Sequence, residues 1–284
     1  MSTPKTESST EPSTKSTADR IIEVAGLCKD FDGKRVVDDI GFTVLRGQTV
    51  ALLGANGAGK TTTIAMLLGL LLPTAGSIHV LGEDMVRHRH RVLGRINFSS
   101  PYVDLPRRLT VAQNLLFFAR LYGVPKPKAR LAELAGQLDL ETLLHQRIGQ
   151  LSAGQKTRAS LAKALVNQPE LLLLDEPTAS LDPDTADWVR RYLEVYQRRT
   201  GAAILLASHN MAEVERLAAL VLMMRRGRIV DRGTPAELIR RYGRRDLEEV
   251  FLDIARETGA AAPDTRTLED PAAVSAPRQG TAAR

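Results

Sequence analysis

A glycine-rich segment that ends in lysine and threonine has the spacing of a phosphate-binding loop. Residues 54–61 read GANGAGKT, after the apolar run 50–53 and at the start of a helix predicted over 59–72. Glycines allow successive N–H groups to face phosphate oxygens, and the helix N-terminus adds positive potential. We therefore predict that Lys60 contacts the β and γ phosphates of a nucleotide and that the Thr61 hydroxyl binds Mg²⁺. The alternative is a strand-to-helix turn that binds nothing. The predicted nucleotide-binding residues of this loop are Gly54, Asn56, Gly57, Gly59, Lys60, Thr61 and Thr62.

Two adjacent carboxylates follow another apolar run and could complete such a site. The run 171–174 predicts a buried strand, and Asp175 and Glu176 come directly after it. A carboxylate at the tip of a strand beside a phosphate loop can hold Mg²⁺ directly or through water, which is the role we assign to Asp175. Glu176 can polarise the water that attacks the γ phosphate. The alternative is a pair of solvated acids at a strand end.

The elements that must hold these residues alternate between strand and helix. Short apolar runs at 49–53, 78–81 and 202–207 predict strands, and so does the segment around Val44, before the turn at 46–47. Apolar residues three and four positions apart between 110 and 166 predict helices. Near-continuous apolar strands that alternate with helices favour an α/β fold with a mostly parallel sheet buried on both faces.

Three further segments resemble motifs of the ATP-binding cassette (ABC) ATPases. Residues 151–155 (LSAGQ) are similar to that family's signature sequence, and 175–182 (DEPTASLD) to its acidic strand and following loop. His209, just past the run 202–207, matches its switch histidine. The resemblance covers residues 21–254. It implies an α/β P-loop NTPase core with a mixed, mostly parallel sheet, an antiparallel β subdomain and a helical subdomain.

The resemblance implies that part of the site is completed by a second ATPase subunit. In the family the signature, here Ser152, Gly154 and Gln155, caps the γ phosphate of ATP held by the other subunit of a head-to-tail dimer. Asp182 is then expected at the subunit boundary. Without the other motifs, Ser152 would be read as a simple helix cap.

Two more residues receive roles from the same resemblance. His209 is expected to act with Glu176 in hydrolysis by contacting the γ phosphate. Phe31 is expected to stack on adenine. Taken alone, each would be read as a core residue. ATP and Mg²⁺ are the implied substrate and metal.

The resemblance also implies partners and a location. Residues 246–252 (DLEEVFL) resemble an ending found in the exporter branch for drugs, polysaccharides or lipids. We therefore expect an ATPase subunit that powers a separately encoded transmembrane permease, cytoplasmic and peripheral on the inner face of the cell membrane, with no nucleic acid as a partner. One alternative is a soluble ABC ATPase acting on ribosomes or nucleic acid, which usually carries two cassettes. Another is a DNA-repair ATPase, which needs a long coiled coil that this sequence lacks.

One position departs from the family pattern. A glutamine that touches Mg²⁺ and the attacking water is usual after the strand predicted at 95–98, and here its position falls at or near Pro101. Ser99, Ser100 or water is expected to substitute, with weaker coupling and modest ATPase activity. The next glutamine, Gln113, completes a T-x-x-Q capping box and predicts a helix start instead.

Composition and charge bound these interpretations. The chain has 284 residues, a formal net charge of +6 and one cysteine, so no internal disulfide can form. Its longest uninterrupted apolar run is well short of the roughly 20 residues that span a bilayer. Segments 84–130 and 225–245 carry net charges of +8 and +6, which leaves −8 for the rest and argues against a uniformly polyanion-binding protein. Residues 1–19 and 257–284 predict disordered tails around an ABC domain at 20–256, with its helical subdomain at about 84–167.

Overall fold

Ten strands and eight α-helices form the part of the chain that the structure describes. The computed structural model describes residues 19–100, 104–179 and 181–256, so Pro101 and, apart from Asp19, both predicted tails lie outside it. The strands are β1 (Arg20–Phe31), β2 (Lys34–Leu45), β3 (Thr49–Gly54), β4 (Ala75–Val80), β5 (Glu83–Asp84), β6 (Ile96–Ser99), β7 (Leu171–Asp175), β8 (Ala203–Ser208), β9 (Leu220–Arg225) and β10 (Arg228–Gly233). The helices are α1 (Lys60–Leu67), α2 (Val111–Leu121), α3 (Pro127–Gln137), α4 (Ala153–Ala164), α5 (Pro183–Thr200), α6 (Met211–Leu217), α7 (Pro235–Tyr242) and α8 (Leu247–Arg256).

The larger sheet is mixed and mostly parallel. Its strand order is β10-β9-β3-β8-β7-β6, and only the β9–β10 pair is antiparallel. A smaller antiparallel sheet has the order β2-β1-β4-β5. The predicted fold class, an α/β P-loop core with an added antiparallel sheet and added helices, is confirmed. The domain boundaries assigned from the sequence stay predictions.

Strand β7 shows why the larger sheet is stable. Leu171 and Leu173 belong to an apolar cluster shared with the smaller sheet and α1, whereas Leu172 and Leu174 belong to a cluster shared with α2–α5. All four side chains are fully buried. Because successive strand residues face opposite sides, a continuous leucine run is what a strand covered on both faces requires.

Helix α2 begins at a recognisable capping signal. Gln113 donates its N–H to the Thr110 hydroxyl at 3.1 Å, and Gln113 Oε1 accepts the Thr110 N–H at 2.9 Å. The capping box predicted from the sequence is therefore confirmed, and this glutamine belongs to the start of α2. Among the described residues, no helix is both long enough and apolar enough to cross a bilayer.

Two local expectations from the sequence were wrong. The helix predicted over 59–72 ends at Leu67, because Gly69 adopts a left-handed φ of 66° and Leu70 N–H donates back to Ala65 O. Strands β1 and β2 each span 12 residues, of which the sequence indicated only a strand around Val44. Register shifts between these two strands interrupt the simple alternation that marks a strand.

The parallel strands of the larger sheet bring the predicted site residues to one edge. Strand β3 lies beside β8, and β8 lies beside β7, with all three running in the same direction. Their carboxyl ends lead into the phosphate loop, into His209 and into Glu176 respectively. Residues that are far apart in the sequence therefore meet at the edge where open α/β sheets bind ligands.

Candidate nucleotide site

The phosphate loop is held by close backbone contacts that only glycine permits. A Cβ on Gly54 would lie 2.5 Å from Met224 O and 2.9 Å from Ala58 Cβ. Gly59 has a φ of 105° and would bring a Cβ to 3.0 Å from Val36 O. Helix α1 begins directly afterwards, so its first-turn N–H groups have no intrahelical acceptors. The loop therefore offers backbone donors and a helix N-terminus to an anion.

Lys60 lies in this loop with its ammonium folded back onto the backbone. Its Nζ donates to Gly54 O at 2.5 Å and to Ala55 O at 3.3 Å. Burial lowers the pKa of Lys60, and the charges of Glu176 and Asp175 act in the opposite direction. Lys60 is a buried cation that donates to two loop carbonyls, and such a cation suits an incoming phosphate.

Thr61 and Asp175 meet across the site, as expected for a shared metal ion. The Thr61 hydroxyl donates to Asp175 Oδ2 at 3.2 Å, and Asp175 is buried. Burial raises the pKa of Asp175, and the hydrogen bond from Thr61 opposes that shift. No group of three or more metal-ligating His, Cys, Asp or Glu side chains occurs among the described residues. One hydroxyl and one carboxylate suit Mg²⁺, which keeps waters and is completed by substrate phosphates.

Glu176 and His209 form a close pair at the ends of β7 and β8. Glu176 has a left-handed φ of 52°, unusual for a residue with a side chain, and its N–H donates to Ala207 O. His209 Nδ1 lies 2.7 Å from Glu176 Oε1, and the His209 N–H donates to Glu176 Oε2 at 3.4 Å. The imidazole is mostly exposed while the carboxylate is nearly buried. The histidine is therefore free to turn towards a ligand that enters beside the carboxylate.

One cavity of about 220 Å³ brings most of the predicted site residues together. Its lining also includes Val36, Ala55 and Ala58, which sequence reasoning did not single out. No local motif marks Val36, because it reaches the loop only through the fold of β2. The predicted residues that line this cavity are Asn56, Gly57, Gly59, Lys60, Thr61, Thr62, Asp175, Glu176 and His209.

A second, smaller cavity of about 190 Å³ lies on another side of Glu176. Ser99 and Ser100 line it, together with Lys156 and Ser160 of α4. The two serines proposed to replace the missing glutamine therefore share a cavity with Glu176, and their role stays a prediction. Pro101, the position in question, lies outside the described residues.

The signature residues lie away from the chain's own phosphate cavity. Ser152 accepts the Gln155 N–H at 3.2 Å, and Gln155 Oε1 accepts the Ser152 N–H at 3.0 Å, so the two residues cap α4. Gly154 faces the start of α5, where an added Cβ would lie 3.2 Å from Thr185 Oγ1. Asp182 caps α5 by accepting the Thr185 N–H at 3.0 Å. The structure thus gives these residues a structural role, and their contact with a partner's ATP stays a prediction.

Phe31 occupies the end of β1 and does not line the phosphate cavity. Its side chain is 43% exposed, and Lys29 Nζ lies 5.0 Å from the ring centroid. An exposed ring at a strand end, next to a cation, is available to stack on a base. Its contact with adenine stays a prediction.

We expect Phe31→Ala to weaken ATP binding about 5- to 150-fold, because base–aromatic stacking contributes roughly 1–3 kcal/mol. Titration with ATP measures the change. Phe117→Ala on α2 is the matched control, since that ring is also exposed and lies outside the site. Equal affinities for the two variants would contradict stacking by Phe31.

The fold and the site define a P-loop nucleoside triphosphatase that uses Mg²⁺. A family model described as ABC transporter matches residues 37–179. Nod factor export ATP-binding protein I of Ralstonia nicotianae is 37% identical over 256 residues, which cover 89% of this chain and 77% of that protein. The chain belongs to the ABC transporter family, and its enzymatic activity is ATP hydrolysis.

Solved structures support the same assignment. A structure described as the ATP binding subunit of an ABC transporter is 28% identical and has a TM-score of 0.76. The match covers 83% of this chain and 100% of that one. CbiO1 of Clostridium perfringens, described as part of the ABC transporter complex CbiONQ, is 29% identical with a TM-score of 0.71, covering 84% of this chain and 96% of that one. The family expected from the sequence motifs is confirmed, and so are ATP and Mg²⁺ as the substrate and metal.

Proposed function

We propose that this chain is the ATP-hydrolysing subunit of an ABC exporter and acts on a separate transmembrane permease. The observation that carries the proposal is the meeting of Lys60, Thr61–Asp175 and Glu176–His209 around one cavity. Export is supported by the name of the Ralstonia relative, which is an export ATP-binding protein.

Different residues of the cavity have different roles in hydrolysis. Mg²⁺, held by Thr61 and Asp175, would neutralise phosphate charge. Lys60 leaves the loop carbonyls to bind the β and γ phosphates. Glu176 orients the attacking water and accepts its proton, and His209 turns to the γ phosphate. In-line attack needs little more from the protein than positioning and charge stabilisation.

A head-to-tail dimer completes each site with the signature helix of the other subunit. The capped N-terminus of α4, at Ser152, supplies donors and the positive end of a helix dipole. Gly154 leaves room beside Thr185, so the signature and the loop before α5 can present one continuous surface. Asp182 lies at the start of that loop's helix, at the proposed subunit boundary.

Ion pairs inside the chain neutralise part of the regional basic charge. Both basic segments contain arginines that pair with carboxylates, several of them from other elements. Internal pairing leaves less charge for a polyanion, which favours a protein partner at the inner membrane face over nucleic acid or ribosomes. Examples are Arg91–Glu83, Arg95–Glu170, Arg107–Asp104, Arg130–Glu133, Arg228–Asp38, Arg244–Asp253 and Arg245–Glu249.

The proposal is tested by fractionating cells that express the tagged chain. We expect it to sediment with membranes and, after detergent extraction, to co-purify with an integral membrane protein whose presence stimulates ATPase activity. A salt wash before extraction removes chains held only by charge. Exclusive recovery with ribosomes would contradict the proposal.

A further inference from the structure

One fully buried carboxyl group close to the nucleotide site has no role in the mechanism above. Glu213, on α6, is 0% exposed. Its Oε2 accepts the Ser208 hydroxyl at 2.7 Å, and its Oε1 has no hydrogen-bond partner among the described residues. Burial raises the pKa of Glu213 and the charge of Glu176 adds to that effect, whereas Ser208, Thr178 and Arg190 oppose it. Burying a carboxyl group with one oxygen unpaired is costly.

Glu213 makes hydrogen bonds with the residues on both sides of His209. Ser208 precedes the histidine and donates to the Glu213 carboxyl. Asn210 follows it, donates its N–H to Ser208 Oγ at 3.0 Å, and accepts the Glu213 N–H at 3.3 Å through its own side chain. The residues on both sides of His209 are therefore tied to each other and to the start of α6.

The segment that is fixed in this way presents His209 to Glu176 with two groups. The imidazole contacts one carboxylate oxygen, and the backbone N–H donates to the other. If the segment shifted, both contacts would change together. Glu213 does not line the cavity; its carboxyl is linked to the histidine segment through Ser208, and its backbone N–H through Asn210.

We propose that Glu213 is a positioning residue whose carboxyl group holds Ser208–Asn210 so that His209 keeps both of its contacts with Glu176. This inference rests on the roles in hydrolysis proposed for His209 and Glu176. It predicts that the hydrogen-bonding shape of Glu213, and not a negative charge, is what the site requires.

The test compares Glu213→Gln, Glu213→Ala and His209→Ala in the full chain by ATPase kinetics and ATP titration. Glutamine keeps the acceptor for Ser208, so we expect kcat within about twofold of the parent, whereas alanine should lower kcat about tenfold with ATP affinity within about twofold. In the His209→Ala background, Glu213→Ala should cost no more than about twofold further, because both act through one contact. Ser208→Ala cuts the same link with a smaller change and replaces Glu213→Ala if thermal unfolding shows that variant to be unfolded.

Four results would overturn the inference. Glu213→Gln as slow as Glu213→Ala would show that the acid itself is needed. A full additional loss from Glu213→Ala in the His209→Ala background would show that Glu213 acts elsewhere. If His209→Ala lowers kcat but Glu213→Ala and Ser208→Ala do not, the inference alone fails; if His209→Ala leaves kcat unchanged, the proposed role of His209 fails as well.

Discussion

Glu176→Gln is expected to lower kcat for ATP hydrolysis by about 10²- to 10⁴-fold while ATP binding is kept, because general base catalysis contributes that much. Glutamine has the size of glutamate and places the same strain on a residue with a φ of 52°. It can still hydrogen-bond to His209 but accepts no proton from water. Loss of a negative charge beside the phosphates should also strengthen ATP binding.

The same variant tests the dimer. Because ATP is bound but not hydrolysed, we expect the head-to-tail dimer to accumulate with ATP and Mg²⁺, measured by light scattering after size-exclusion chromatography. Glu141→Gln, an exposed glutamate in the helical region, is the matched control and should turn over ATP as the parent does. Normal turnover by Glu176→Gln would show that another group is the base.

Lys60→Met is expected to have the largest effect on nucleotide affinity. Removing one partner of a desolvated, charge-assisted contact costs about 2–5 kcal/mol, which corresponds to roughly 30- to 4000-fold in Kd. The folded chain itself should be affected little, since burial already disfavours the charged lysine and the methionine side chain is of similar length. Isothermal titration with ATP and Mg²⁺ measures the loss.

Lys128→Met is the control for that measurement. Lys128 lies exposed on α3, so this variant removes one positive charge from the chain without touching the cavity. We expect it to bind ATP as the parent does. Equal losses in the two variants would indicate that net charge, and not the loop lysine, determines affinity.

The local motifs were predictable because each is a short pattern with its own physical reason. Adjacent residues alone predict the local conformation of the loop GANGAGKT at 54–61 and of the leucine strand before Asp175. The meeting of Thr61 with Asp175, 114 positions away, was expected from the Mg²⁺ role assigned to both residues and is seen as a hydrogen bond. The order of strands in the sheet determines that contact, and no sequence pattern near Thr61 predicts it.

Other features depend on contacts that no local pattern encodes. Glu213 looks like an ordinary polar residue of a short helix, yet it is fully buried because α6 packs against β3 and β8. Arg228 belongs to a basic segment in the sequence, but its guanidinium pairs with Asp38 at 2.6 Å, 190 positions away. Long-range pairing with carboxylates therefore neutralises part of the positive charge that the sequence shows in this segment.

The position of β3 in the sheet also determines when this protein can first bind its substrate during synthesis. Gly54 pairs with Met224, and β3 lies between β8 and β9, which come from the last third of the chain. At about 5–20 residues per second, roughly 10 to 30 s separate the translation of these two residues. Throughout that interval the apolar strand β3 lacks both of its neighbours. The phosphate loop is therefore not yet formed, and ATP cannot stabilise it. We therefore expect nascent chains of this protein to expose β3 until β8 and β9 have been translated.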